Sequence, residues 1–262
     1  MKPKLLPVLI ALALILTSCS NNELPRLEVT SYMEKTVYTD IPLQMDIECE
    51  NGATEVYSWN RNEVKLEITK IIRGNEARSV LLKRLDGFNV GIDREAERLA
   101  LKCRFRSGNR NTEGRINLKL YIPKKTSSFS LIQKSGSITF LDDFDGDIDI
   151  NAEKLDLNIN SLEGKLTCML EKGDLRVVSG ELESDSSALI SKGNIRIKAS
   201  FECSGNYSFK TDYGILELCI PQSTNAVFDT FGLLEAGDFN VGVNPSRFRL
   251  ESKIGKISIL KF

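Results

Sequence analysis

The sequence predicts an all-β protein, built as a single-stranded β-helix (a β-solenoid) behind a short N-terminal cap of strands and one helix. Three observations predict it. Eleven of the eighteen glycines stand two residues before Ile, Leu or Tyr, in units such as GSITF, GDLRV, GNIRI and GKISI. Seven of them, Gly114, Gly136, Gly173, Gly193, Gly214, Gly232 and Gly255, follow one another at steps of 22, 37, 20, 21, 18 and 23 residues. Between them apolar and polar residues alternate with period two, the pattern of a half-buried strand.

The step of 37 counts as two units. Its midpoint is EKLDLNI, where Leu155, Leu157 and Ile159 keep the alternation and Glu153 stands in for glycine. A unit of about twenty residues cannot bury its own apolar face, but stacked units bury a continuous column. With strands about 4.8 Å apart, seven or eight coils make a rod of about 35 Å. Gly146, Gly164, Gly180 and Gly205 would open second faces of the same coils. A β-sandwich is the rival, but pairs of the Asn-Gly hairpin type are sparse, with one at Asn51-Gly52 upstream. Ile138, Leu175, Ile195, Leu216 and Leu234 are expected in one shared core. The final strand, GKISILKF, reads as an open edge for a partner or a second copy.

Residues 39–112 are less regular. Two or three strands surround Asn51-Gly52, and NEARSVLLKRLDGF reads as an amphipathic helix. Ala77, Val80, Leu81 and Leu85 form its stripe, and Gly87 stops it. The helix is expected to shield the first coils. Before this, Lys2 and Lys4 precede an apolar run from Leu5 to Leu16, the length of a signal-peptide core and too short to span a bilayer comfortably. The run ends in Leu16-Thr17-Ser18-Cys19, which resembles a lipoprotein lipobox and implies lipidation at Cys19 after cleavage. The chain thus divides into a signal peptide (1–19), a polar tether (20–38), the cap (39–112) and the repeats (113–262), with 39–262 one continuous domain.

Composition narrows the function classes. The 262 residues carry a formal net charge of −1 and no histidine. The balance gives no electrostatic reason to expect nucleic acid. The missing histidine removes the usual Ser-His-Asp and Cys-His arrangements and the commonest zinc ligand. Past Cys19, five cysteines remain, an odd number that forbids a complete disulfide framework. Cys49, Cys103, Cys168 and Cys203 fall on inward strand positions, where Cys acts as a small hydrophobe. Cys219 is out of phase. No cofactor is expected.

The layout resembles a family of bacterial envelope proteins of the DUF4097 type, provisionally named adhesins. The resemblance rests on the edge INLKLYIPKK (Ile116 to Lys125), on the repeats QKSGSITFLDDFDGDIDI, LEKGDLRVVSGELES and ISKGNIRIKASFECSGNYSFKTDYGILELCIPQST, and on the second Ile-Pro at Ile220-Pro221. It covers roughly residues 39–260. It implies a right-handed β-helix-like fold, and it implies no catalytic residues.

The stretch LDDFDGDIDI holds five aspartates. An EF-hand-type loop counted from Asp143 needs Gly at its sixth position and Glu at its twelfth, where Ile148 and Lys154 stand. Asp147 and Asp149 therefore read as the wet face of a strand, with Ile148 and Ile150 inward. Asp143, Asp145 and Asp147 remain a weak Ca²⁺ candidate. Tyr57 and Trp59 are a candidate carbohydrate platform against a plain packing reading. The function expected is a lipid-anchored, non-enzymatic, adhesin-like binding or scaffold module of the bacterial envelope. Its partners are the membrane, through the anchor, and a protein or cell-wall polysaccharide. The alternatives are an envelope-stress accessory protein and a polysaccharide-active β-helix enzyme.

Overall fold

The computed structural model describes residues 26–39, 42–106, 112–236 and 241–262. They form a 17-stranded sheet with one short helix. In chain order the elements are β1 (Leu27–Tyr38), β2 (Leu43–Trp59), β3 (Glu63–Gly74), α1 (Arg78–Arg84), β4 (Phe88–Glu95), β5 (Arg98–Phe105), β6 (Glu113–Pro123), β7 (Thr126–Asp145) and β8 (Asp147–Gly164). There follow β9 (Leu166–Lys172), β10 (Leu175–Leu182), β11 (Ser187–Lys192), β12 (Ile195–Lys198), β13 (Ser200–Phe201), β14 (Asn206–Tyr213), β15 (Leu216–Ile220), β16 (Ala226–Ala236) and β17 (Ser246–Lys261).

The all-β class holds, but the single-stranded β-helix does not. The strands β8, β10, β12, β15, β17, β14, β11 and β9 pair in parallel in that order, and β9 returns to β8. The sheet therefore closes into an eight-stranded parallel barrel with extra strands attached. Closure comes from strands longer than the sequence units suggest. In β8, Ile148 and Ile150 pair with β9, while Leu157 and Ile159 pair with β10. In β17, Phe248 to Ile254 pair with β14 and Ile257 to Lys261 with β15. Units that read as separate short strands are halves of bent ones. Antiparallel pairs occur upstream, β1 with β3, β3 with β6 and β4 with β5.

The bends need glycine. Gly193 has φ +148° and Gly214 φ +158°. A Cβ on Gly214 would lie 1.9 Å from the Gly193 carbonyl oxygen, and one on Gly193 would lie 1.8 Å from that of Gly173. Only a residue without Cβ fits. The residue after each glycine ties neighbouring strands together. The Asp174 amide donates to Asp156 Oδ1 at 3.1 Å, and the Asn194 amide donates to Asp174 Oδ1 at 2.7 Å. The Ile215 amide donates to Asn194 Oδ1 at 2.9 Å. These side chains satisfy backbone donors at corners where the ladder alone would leave them open.

The core is a set of apolar columns, one residue per strand. Leu157, Leu175, Ile195, Leu216 and Ile257 stand in register, all buried. Ile138 joins them beside Leu157. Leu234 extends the column opposite Ile257 but is 42% exposed, against expectation, because among the described residues β16 is the edge strand and no strand lies on its outer side. The expected open edge is corrected with it. The C-terminal strand β17 is enclosed between β14/β15 and β16, and the edge belongs to β16.

Upstream, residues 27–38 of the stretch read as a tether form β1, paired along its length with β3 and burying Val29. The helix is shorter than read, seven residues followed by a 3-10 turn at Leu85–Gly87. It lies against β1 and β3, with Leu81 buried and Val80 exposed. Cys49, Cys103 and Cys168 are buried and Cys219 is half-buried, but Cys203 is exposed. Strand β13 ends at Phe201, and the chain turns at Cys203 and Ser204, so the inward alternation stops one residue too early.

Two substitutions test this account. Gly193→Ala is expected to cost about 2 kcal/mol or more through strain at positive φ and backbone contact. Asp174→Ala is expected to cost about 1–2 kcal/mol by opening the Asn194 amide. Urea unfolding of each variant beside wild type measures both.

Candidate functional site

The alternation that fills the core also lays a grid of side chains on the outer face. Across β11, β14, β17 and β16 one row reads Ser187, Ser208, Arg249, Asp229. The row before it reads Asn206, Arg247, Val227, and the row after it Lys210, Glu251, Phe231. The floor is therefore small and hydroxylic, while β17 raises two guanidinium groups beside it. A depression of about 500 Å³ results, lined by Asp185, Ser187, Asn206, Ser208, Asp229, Arg247 and Arg249 among others. A second, of about 360 Å³, shares Asp229 and Arg249 and adds Phe231 and Glu251. The two lie side by side across β17 and β16, with Asp229 and Arg249 in the lining of both, and are treated together as one groove.

The groove's charges differ from those elsewhere on the same wall. At the opposite end Arg98 pairs with Asp46, and Arg104 Nη2 lies 2.6 Å from Glu48 Oε1. Among the described residues no ion pair holds Arg247 or Arg249. Both are exposed, and the Phe231 ring beside them is 65% exposed. Among the described residues β16 is the edge strand, with no further strand beside that ring. Midway along the wall, Ile132, Met169 and Leu189 stand on successive strands around Asn151 as an exposed apolar stripe. It lines a depression of about 470 Å³ with Glu48, Arg104, Glu153 and Glu171.

The residues singled out in the sequence fall elsewhere. Cys19 lies outside the described residues. Asp143 and Asp145 end β7 and Asp147 begins β8, all three exposed. Asp147 Oδ1 accepts the Lys165 amide at 3.2 Å, and Ile148 and Ile150 are buried, as a wet strand face requires. Among the described residues no three Asp, Glu, Cys or His side chains gather as a metal site. The Tyr57 ring stacks on Tyr121 at 4.8 Å, Trp59 lies 5.4 Å from Tyr121, and Arg61 covers the indole at 4.8 Å. The indole N–H donates to the Glu63 carbonyl. The faces and polar atom of Trp59 are thus engaged, which favours packing over a platform. The Arg247–Arg249 groove was missed because its rows come from residues 187–249, joined only by the register. The signal available was SRFRLE, two arginines at strand period.

Neither a family model nor a curated protein matches the chain. Solved structures are similar over most of its length. One from Parabacteroides distasonis, provisionally named an adhesin, is 12% identical at a TM-score of 0.49, covering 87% of this chain and 97% of that one. One from Bacteroides fragilis, named the same way, is 10% identical at 0.40, covering 88% and 97%. Another from Parabacteroides distasonis, provisionally named a lipid-binding protein, is 13% identical at 0.36, covering 87% and 97%. Likenesses at these identities and TM-scores carry no argument about activity.

Calcium provides a direct check of the aspartate face. Millimolar Ca²⁺ is expected to leave the thermal unfolding midpoint unchanged, since a ligand raises it only by binding the native state. A rise abolished by Asp145→Asn would place a weak site there.

Proposed function

We infer that the protein is a non-enzymatic binding module, held at a bacterial envelope by lipid on Cys19, and that its ligand is a saccharide taken in the Arg247–Arg249 groove. The observation that carries this reading is the pair of guanidinium groups that no ion pair holds among the described residues, set over a floor of Ser187, Ser208 and Asn206 beside an exposed Phe231. A sugar has a polar rim and apolar C–H faces. Planar guanidinium forks and the Asp229 carboxylate suit adjacent hydroxyls or acidic substituents, and an aromatic ring suits the C–H face. The groove lies on the face of a hydrogen-bonded sheet, and among the described residues no lid covers it, so it presents a contact surface.

A glycan array probed with the purified protein tests the ligand class. Arg249→Ala and Phe231→Ala are each expected to weaken the strongest hit about tenfold or more, a loss of about 1.4 kcal/mol. Both residues are exposed, so the unfolding midpoint should stay close to wild type. Binding unchanged in the double variant would overturn the groove, and release of new reducing ends from the bound glycan would overturn the non-enzymatic reading. For the anchor, Cys19→Ala is expected to move the protein from the membrane to the soluble fraction. Membrane fractionation identical to wild type would rule lipidation out.

A further inference from the structure

Cys49 and Cys103 are far apart in the chain, yet they are direct partners on the adjacent parallel strands β2 and β5. Both side chains are buried, at 4% and 1% exposure. The two thiols face each other across the ladder: this contact holds Cys49 below the ordinary thiol range and pushes Cys103 above it. Partners in register on neighbouring strands have Cα atoms about 4.8 Å apart. That is inside the range of about 4.4–6.8 Å across which a disulfide closes. Among the described residues no other cysteine is placed this way. Cys168 pairs with Ile150 and Ala188, Cys219 with Lys198 and Leu260, and Cys203 lies in an exposed turn.

We propose that Cys49 and Cys103 form a disulfide when the protein folds in an oxidising compartment, a cross-link that fastens β5, and with it the β4–β5 hairpin, to β2. The closed loop contains β3 and α1 and runs back through β4. Among the described residues strand β4 pairs only with β5, so the hairpin is held to the rest of the sheet through the ladder in which the two cysteines sit. A cross-link there ties down a margin of the sheet that hydrogen bonds alone would leave free to open.

The chemistry is two thiol–disulfide exchanges. The Cys49 thiolate attacks a sulfur of an external disulfide such as oxidised glutathione, forming a mixed disulfide and expelling one thiolate. The Cys103 thiol gives up its proton, attacks the Cys49 sulfur and expels the second thiolate. Two protein thiols are oxidised and one external disulfide is reduced to two thiols. Burial closes both sulfurs to solvent in the finished fold, so the exchange belongs to folding. This proposal is independent of the saccharide reading.

The test refolds the denatured, reduced full chain in a buffer of reduced and oxidised glutathione. Free thiols are then alkylated under denaturing conditions and the cysteines mapped by peptide mass spectrometry. The expected result is one linked peptide pair, Cys49 with Cys103, two hydrogens lighter than the reduced pair, with Cys168 alkylated. Dithiothreitol should lower the unfolding midpoint of wild type but leave that of Cys49→Ala/Cys103→Ala unchanged. Recovery of Cys49 and Cys103 as alkylated thiols, as separate glutathione adducts or bridged to other cysteines would overturn the proposal. The wild-type map decides it even if the double variant does not fold.

Discussion

The structure depends on turning corners without breaking a hydrogen-bonded ladder. Where β17 passes from β14 to β15, Gly255 carries a φ of +152°, and a Cβ there would stand 1.9 Å from the Gly214 carbonyl oxygen. The same approach repeats from strand to strand, so each corner leans on the carbonyl of the one beneath it. A parallel sheet normally needs separate connections between its strands. Here the strands themselves bend, the walls share residues of the same strand, and the sheet closes. At Gly173 and Gly193 the residue after the glycine, Asp174 or Asn194, completes the device by accepting an amide of the next strand.

Closure decides where energy and opportunity lie. Inside, columns such as Leu157–Leu175–Ile195–Leu216–Ile257 contact one another along the whole stack, so each strand is held by its two neighbours. At the last strand this support is one-sided. Leu234 takes the inward position but stays partly open, and Phe231 projects with no next row beside it among the described residues. Arg247 and Arg249, on the enclosed strand β17, stand between Asn206 and Ser208 on one side and Val227 and Asp229 on the other, and among the described residues no ion pair holds them as Asp46 and Glu48 hold Arg98 and Arg104 at the other end of the wall. A binding groove there follows from position in the stack as much as from residue type.

The opposite margin is built differently. Antiparallel strands β1, β3, β4 and β6 finish the sheet, α1 covers part of β1 and β3, and Tyr57, Trp59 and Tyr121 pack as a surface cluster. Paired charges and stacked rings make this end a satisfied surface. The contrast explains why the only tryptophan, the most conspicuous residue of the sequence, is not the strongest binding candidate.

Period-two alternation was enough to mark the all-β class, the inward columns and the wet face of LDDFDGDIDI, because side-chain direction in a strand is a local property. Gly-x-aliphatic units marked most of the corners, because positive φ is a requirement on one residue: nine of the eleven glycines adopt it, and Gly114 and Gly205 do not. What lay beyond reach was anything set by register between distant segments. Whether two alternating units are separate strands or halves of one bent strand leaves the same pattern, so closure into a barrel could not be read. Nor could the insertion of β17 between β14/β15 and β16, which moved the free edge from the C-terminal strand to β16. Cys203 shows the local limit, since its phase was right until a turn intervened. The sequence by itself determined which residues face inward and where the chain must bend; the tertiary structure alone decided that Arg249 meets Ser208 and Cys49 meets Cys103, because those neighbours are fixed by hydrogen bonds between strands and not by the chain that joins them.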